Sequence, residues 1–283
     1  MQSKAYAKLN WYLNVVGKRA DGYHLLDMMN QRLSLHDTLD IVESNQLTLT
    51  VHGDGMIPTW HDNLVLKAAY ALQDATGCRR GADMVLSKRI PAGAGLGGGS
   101  ADAAATLSAL NQLWETQLNE AQLSTMGARI GADIPYCLSG GLKRVQGIGE
   151  VVMPVSADLP AYPMIIIKPE ASLATRDVFR ELKADDAELT MNADEFIAAL
   201  AQGNFAALKS ARANRLQAAA TRLAPDIGRA VTSLYDHGAT FAQMTGSGSA
   251  VYGVYLSTGM RDAAMETMQQ QGHLCIATET INY

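Results

Sequence analysis

Cysteine is scarce in this chain: there are three, Cys78, Cys137 and Cys275, far apart and odd in number. They outline neither a disulfide framework nor a zinc-ligand spacing. No apolar run reaches the roughly 18 residues that a membrane helix needs, and the mean hydropathy is close to zero. The opening MQSKAYAKLN lacks the basic and then apolar order of a secretory signal. Basic residues are not massed anywhere: 23 Lys and Arg are dispersed against 28 Asp and Glu, for a formal net charge of −5. A nucleic-acid partner would need a basic face, and none is visible. Internal repeats and low-complexity linkers are missing too. These absences point to a cytoplasmic protein with neither nucleic acid nor membrane as partner, and either a monomer or a homodimer is expected. A phosphorylated ligand would have to be held by backbone dipoles and a few local cations.

What is present is enough apolar material for a packed core, 48% of 283 residues. Residues 4–16 and 33–51 alternate apolar and polar as strands do. Asn63 is placed to cap a helix from Leu64 to about Thr76, which Gly77 would stop. Met84 to Ile90 reads as a strand ended by Pro91. Further helices fit Glu120 to Ile130, ended by Gly131, then 193–201, about 204–222, and 225–236. Met164 to Ile167 is a short buried strand. A strand, loop and strand follow over Phe241 to Leu256, then a helix around 259–271 and a strand near 274–281. Four prolines between Pro154 and Pro169 mark a composition shift. The expected organisation is two α+β parts, 1–154 and 155–283, with a site between them.

Residues 91–105 hold five glycines and six alanines, and all five glycines fall within seven residues. So little side-chain bulk lets backbone N–H groups approach a ligand together, and the helix starting near Ser100 adds its positive end. A tight turn would be satisfied with one or two glycines; this many point to polyphosphate. Gly93 to Gly98 formally satisfies G-x-G-x-x-G, so a nicotinamide-dependent oxidoreductase has to be weighed. A dinucleotide site, however, needs a second strand after the helix and an acidic residue about 20 positions on. Here Asn119 and another helical stretch follow. A Walker loop fails because no lysine follows the glycines.

The run from Pro91 to Ala101, P-x-x-x-G-L-G-G-G-S-A, resembles the central ATP-binding motif of the GHMP kinases. Two further motifs resemble that superfamily in the same order: Ala7-Lys8-Leu9-Asn10 near the start, and Thr245-Gly246-Ser247-Gly248-Ser249-Ala250 near the end. Arg19-Ala20-Asp21-Gly22-Tyr23-His24, Gly131-Ala132-Asp133-Ile134-Pro135 and Gly147-Ile148-Gly149-Glu150 are similar to members acting on a diphosphocytidyl sugar alcohol. So is Lys168-Pro169 followed by Thr175 and Phe179. Tyr6 stands where the family often has proline, and Gly140-Gly141-Leu142 departs from its usual Gly-Thr-Ala.

The resemblance implies an α+β GHMP kinase fold. Its N-terminal domain would be like ribosomal protein S5 domain 2, with a left-handed crossover, and its C-terminal domain ferredoxin-like. It implies an ATP-dependent small-molecule kinase with an alcohol acceptor, using Mg2+. Pro91, Gly93, Gly95, Leu96, Gly97, Gly98, Gly99, Ser100 and Ala101 would bind ATP, with Gly246, Ser247 and Gly248 approaching from the opposite side. Lys8 and Asp133 would be the catalytic pair. Asn10, Tyr23, His24, Thr175 and Phe179 would hold the substrate, and Ser100 would reach the metal. Several have a plainer alternative. Asp133 suits the cap of a short helix from Ile134. Lys8, sharing a strand face with Tyr6 and Asn10, suits a solvated strand edge. Tyr23 and Phe179 suit core packing, and Thr245 to Gly248 suits a hairpin turn. Another GHMP kinase, for homoserine or phosphomevalonate, and a non-catalytic binding protein also stay open.

Overall fold

The alternating segments near the start form the two longest strands, β1 (Gln2–Lys18) and β2 (His24–Ser44), paired antiparallel. The computed structural model describes residues 1–53, 62–183, 186 and 189–283. The turn between β1 and β2 is closed by Arg19 N–H to the Tyr23 carbonyl at 2.7 Å, with Gly22 at φ +92°. Strict alternation fails in β1, because every residue from Ala7 to Leu13 is buried. One face of this stretch packs on the core and the other forms the floor of a cleft. Register shifts between Tyr6 and Lys8 and between Asn10 and Tyr12 re-aim the side chains there. As a result Tyr6 leaves the face of Lys8 and packs on His36 and Tyr283, with ring centroids 5.3 and 6.1 Å away.

Strand β3 (Leu47–His52) pairs parallel with β4 (Gly81–Ser87), and α1 (Leu64–Thr76) is the crossover that parallel pairing needs. Asn63 caps α1 by accepting from Val65 N–H at 2.9 Å, and Gly77 ends it at φ +70°, as expected. β4 stops before the expected Ile90 for a local reason. The N–H groups of Arg89 and Ile90 are taken by the Asp37 carboxylate instead of a neighbouring strand. Next come α2 (Gly98–Leu113), α3 (Glu120–Ile130) and α4 (Ile134–Ser139). Strands β5 (Leu142–Gly147) and β6 (Val151–Pro154) extend the sheet beside β2.

The remainder runs β7 (Pro163–Ile167), α5 (Thr175–Glu181), α6 (Ala193–Ala201), α7 (Phe205–Ser210), α8 (Gln217–Leu223), α9 (Asp226–Asp236), β8 (Phe241–Met244), β9 (Val251–Val254), α10 (Thr258–Gln270) and β10 (Cys275–Ile281). The single helix expected over 204–222 is two, α7 and α8. Between them the chain is extended, and the backbone of Ala213 and Arg215 exchanges hydrogen bonds with Leu13 of β1 at 2.7 and 2.9 Å. The four late strands lie in the order β10-β7-β9-β8, all neighbours antiparallel. With α10 between β9 and β10 this is the split βαβ, ferredoxin-like arrangement. β10 also pairs with β2 through Thr280 and Ile281, so one mixed sheet runs through the molecule.

Among the described residues three apolar cores pack on that sheet, and two of them hold the elements around the site. Helices α1 and α2 bury Val65, Leu72, Leu107 and Leu110 against Leu39, Ile41 and Leu86. Trp11 of β1 is fully buried among Tyr162, Phe241 and Tyr252, three rings from the second half. Its indole N–H donates to Gln31 at 2.6 Å. Buried aromatic clusters of this kind contribute well beyond their area, and here one fixes β1 against β8 and β9.

Candidate active site

A cleft of about 1070 Å³ opens where the glycine loop, β1, the β1–β2 turn, α5 and the β8–β9 loop meet. The glycine loop enters α2 with no side-chain cap; Gly97 stands there at φ +71°, a left-handed conformation in which glycine is the unstrained choice. Gly93, Gly95, Gly97 and Ser100 line the cleft, so free N–H groups and the positive end of a 16-residue helix face it. The neighbours named with them have other positions. Leu96 and Ala101 are buried in the cores, Gly98 packs against Ile90, and Gly99 lies over Leu64. Pro91 is half-buried at the approach to the loop.

The second glycine loop presses on the first. The Ala250 N–H donates to the Ala94 carbonyl at 3.2 Å, and a methyl on Gly95 would stand 2.4 Å from the Thr245 carbonyl oxygen. Gly246, Ser247 and Gly248 therefore line the same cleft, and the Ser247 hydroxyl is 2.9 Å from that of Thr175 on α5.

Lys8 and Asp133 meet across the cleft floor, with Nζ and Oδ2 3.9 Å apart. The lysine side chain is 6% exposed and the aspartate 33%. Lys8 Nζ donates to Asn10 Oδ1 at 2.8 Å, and Asn10 Nδ2 donates to Asn30 Oδ1 at 2.6 Å. Asn10 N–H in turn donates to the Thr245 hydroxyl at 3.1 Å. The ammonium is thus fixed by a buried polar chain that ends on the second glycine loop. Lys8 is no solvated edge-strand residue. Nor does the Asp133 side chain cap α4: it makes no hydrogen bond to the helix N–H groups and faces the cleft instead.

At the far end of the cleft the His24 and Phe179 rings stack, with centroids 4.6 Å apart and planes 13° apart. Burial, with Lys18 adding to it, holds the His24 imidazole below its ordinary pKa. Tyr23 is 62% exposed and lines the cleft, so it is not a core residue. Thr175 lies one helical turn before Phe179 on α5.

The sequence reading misses cations and a buried cluster. Lys18, Arg176 and Arg180 line the cleft around the stack. Arg176 and Arg180 are four apart on α5 and flank Phe179, a spacing that exposes the pair on one helix face. Behind the glycine loop, Lys88 forms ion pairs with both Asp37 and Asp102. All three side chains are nearly inaccessible, and Asp102 Oδ1 has no hydrogen-bond partner. Burial pushes the Asp102 carboxyl up to about 7, with Lys88 opposing and Asp37 adding.

Among the described residues no group of three His, Cys, Asp or Glu side chains is arranged to hold a metal. The donors at the glycine loop are the Ser100 hydroxyl and the Asp133 carboxylate. That sparse oxygen set fits Mg2+, which keeps water and binds through one or two protein oxygens and substrate phosphates.

Comparison with known proteins follows the same lines. The family model described as GHMP kinases N terminal domain matches residues 63–141, and that described as GHMP kinases C terminal matches residues 196–274. A 4-diphosphocytidyl-2-C-methyl-D-erythritol kinase from Delftia acidovorans is 42% identical over 270 residues, covering 92% of this chain and 88% of its own. One from Alkaliphilus metalliredigens is 35% identical over 278 residues, covering 97% and 95%. A crystal structure of a 4-(cytidine 5'-diphospho)-2C-methyl-D-erythritol kinase superposes with a TM-score of 0.86 at 31% identity, covering all of both chains.

Proposed function

The chain belongs to the GHMP kinase family, and from that premise we propose that it transfers the γ-phosphoryl group of ATP to the 2-hydroxyl of 4-diphosphocytidyl-2-C-methyl-D-erythritol. The observation that carries the reading is the meeting, in one cleft, of the glycine cradle, the Lys8–Asp133 pair and the His24–Phe179 stack. The products are ADP and the 2-phosphate, an intermediate of non-mevalonate isoprenoid synthesis.

Phosphoryl transfer requires positioning and charge stabilisation more than covalent chemistry from the protein. Gly93, Gly95 and Gly97 with the α2 N-terminus hold the phosphates, and Gly246 to Gly248 close over them. Asp133 accepts the proton of the attacking hydroxyl. A separation of 3.9 Å lets Lys8 Nζ and the carboxylate share one oxygen, so the ammonium stabilises the alkoxide as it forms. Asn10 keeps that ammonium aimed. Ser100 and Asp133 would hold Mg2+, which when bound would supply neutralisation of phosphate charge. The cytidine ring lies against the His24–Phe179 stack, under Tyr23, and Thr175 closes the cleft toward Ser247. Residues 1–154 thereby carry the glycine cradle and the catalytic pair, and residues 155–283 add the second glycine loop and complete the substrate pocket. Three free cysteines accord with a cytoplasmic setting.

The test is ADP release from Mg-ATP with the cytidyl alcohol beside homoserine, mevalonate, phosphomevalonate and galactose. Turnover on the first alone is expected; turnover on another acceptor keeps the fold and discards the pocket. Asp133→Asn is expected to lower kcat by about 10² to 10⁴, the reach of a general base, while ATP affinity holds. A wild-type rate in that variant removes Asp133 from the mechanism.

A further inference from the structure

A second cavity, of about 650 Å³, lies on the other side of the 211–217 segment from the cleft. Its rim carries Lys209, Arg212 and Arg215. Among the described residues none of these three has a carboxylate within ion-pair distance, whereas Arg222 beside them is neutralised by Glu181 and Asp186 at 2.7 and 2.6 Å. Lys209 is nevertheless held in place, its ammonium 4.7 Å from the centre of the Tyr235 ring. Three like charges gathered on one concavity repel one another and favour an anion that joins them. Guanidinium forks match phosphate oxygens two at a time, and the cavity suits a small metabolite rather than a polymer.

We propose that this cavity binds a small phosphate-bearing molecule, and that its occupancy is coupled to nucleotide binding in the cleft. The coupling runs through the wall between the two. Asn214, nearly inaccessible, donates from Nδ2 to the carbonyls of Met244 and Gly246 at 2.8 and 3.0 Å. The Gln217 side-chain oxygen accepts from Met244 N–H at 2.8 Å. Leu216 and Gly246 face the cleft while Arg215 and Gln217 face the cavity. An anion that fixes Arg212 and Arg215 therefore fixes the segment on which the second glycine loop hangs. By linkage, nucleotide must then alter the affinity of the anion by the same factor that the anion alters that of nucleotide.

The experiment is calorimetric titration of inorganic pyrophosphate into the protein with the cleft filled by a non-hydrolysable ATP analogue and CDP. One further equivalent should bind. Lys209→Gln and Arg212→Gln, both on exposed side chains, should each weaken it about tenfold, the scale of one charge-assisted contact. Arg180→Gln, in the cleft, should leave it unchanged. Absence of a further equivalent, or a loss in Arg180→Gln with none in Arg212→Gln, overturns the site. For the coupling, the affinity of the ATP analogue is measured with and without pyrophosphate in the wild type and in Arg212→Gln. The difference between the two proteins separates the cavity from direct competition in the cleft. Gln217→Ala should reduce that difference while pyrophosphate still binds; no difference between wild type and Arg212→Gln overturns the coupling. None of these outcomes depends on which alcohol is the acceptor.

Discussion

Replacing Gly95 by alanine should part the two glycine loops, and the size of the effect follows from the geometry. Gly95 has φ +76°, and an added Cβ would lie 2.4 Å from the Thr245 carbonyl oxygen and 3.2 Å from that of Gly248. Ordinary contact begins at about 3.4 Å, so the loops must separate by about 1 Å. Both neighbours are backbone, so no side chain can swing aside. Gly77, at φ +70° at the end of α1 and outside the cleft, has open space where its Cβ would be and serves as the control. Each substitution carries the left-handed backbone cost of about 1–2 kcal/mol. Gly95→Ala should add about 1 kcal/mol for the lost hydrogen bond between the loops. The larger effect is on rate. A misplacement of about 1 Å around reacting groups costs on the order of 10²-fold, so kcat should fall that far in Gly95→Ala and stay unchanged in Gly77→Ala. Urea unfolding gives the stabilities, and ADP release at saturating substrates gives the rates. Equal kcat in the two variants would refute the idea that the loops act as one clamp.

Two further outcomes are expected. Phe179→Ala removes half of the ring stack, and stacking is worth about 1–3 kcal/mol per base. KM for the cytidyl substrate should therefore rise about tenfold or more with kcat little changed, and an unchanged KM would move the base elsewhere. Asp102 gives a pH signature. Its carboxyl is raised to about 7 in the folded protein and returns to its ordinary value near 3.8 on unfolding. The native state thus holds the extra proton between those values, and stability should fall as pH rises through that window. In Asp102→Asn this slope should vanish from urea titrations at pH 4.5 and 7.5; an unaltered slope would assign it to other groups.

Local structure was legible where the signal is local. Asn63 and Gly77 bound α1 because a side-chain acceptor and a left-handed glycine act within a few residues. The glycine cradle could be read because crowding by small residues and a following helix lie in one stretch. The Lys8–Asp133 meeting came only through family resemblance, since the two are distant in the chain. The break in the expected helix at 211–216 was hidden because its cause is Leu13 of β1, some two hundred residues earlier. The same holds for the early end of β4 at Asp37 and for the Lys88 cluster. Lys18, Arg176 and Arg180 carry no local signal in the sequence, and only the folded chain brings them to one rim.

The seam made by β10 has a consequence for the order in which this protein is made. β10 lies between β2 and β7, and residues just after it are tied to β2: Gln31 donates to the Asn282 side chain and Arg32 to the Tyr283 carbonyl, both at 2.7 Å. A ribosome delivers β2 long before β10. Until then β2 presents an unpaired edge around Leu33, the kind of edge that recruits foreign strands. The emerging chain carries its phosphate loop early but cannot close its sheet until synthesis reaches the far side of the seam. Its most vulnerable period is therefore the interval of translation itself, when a chaperone that covers sheet edges would protect it most.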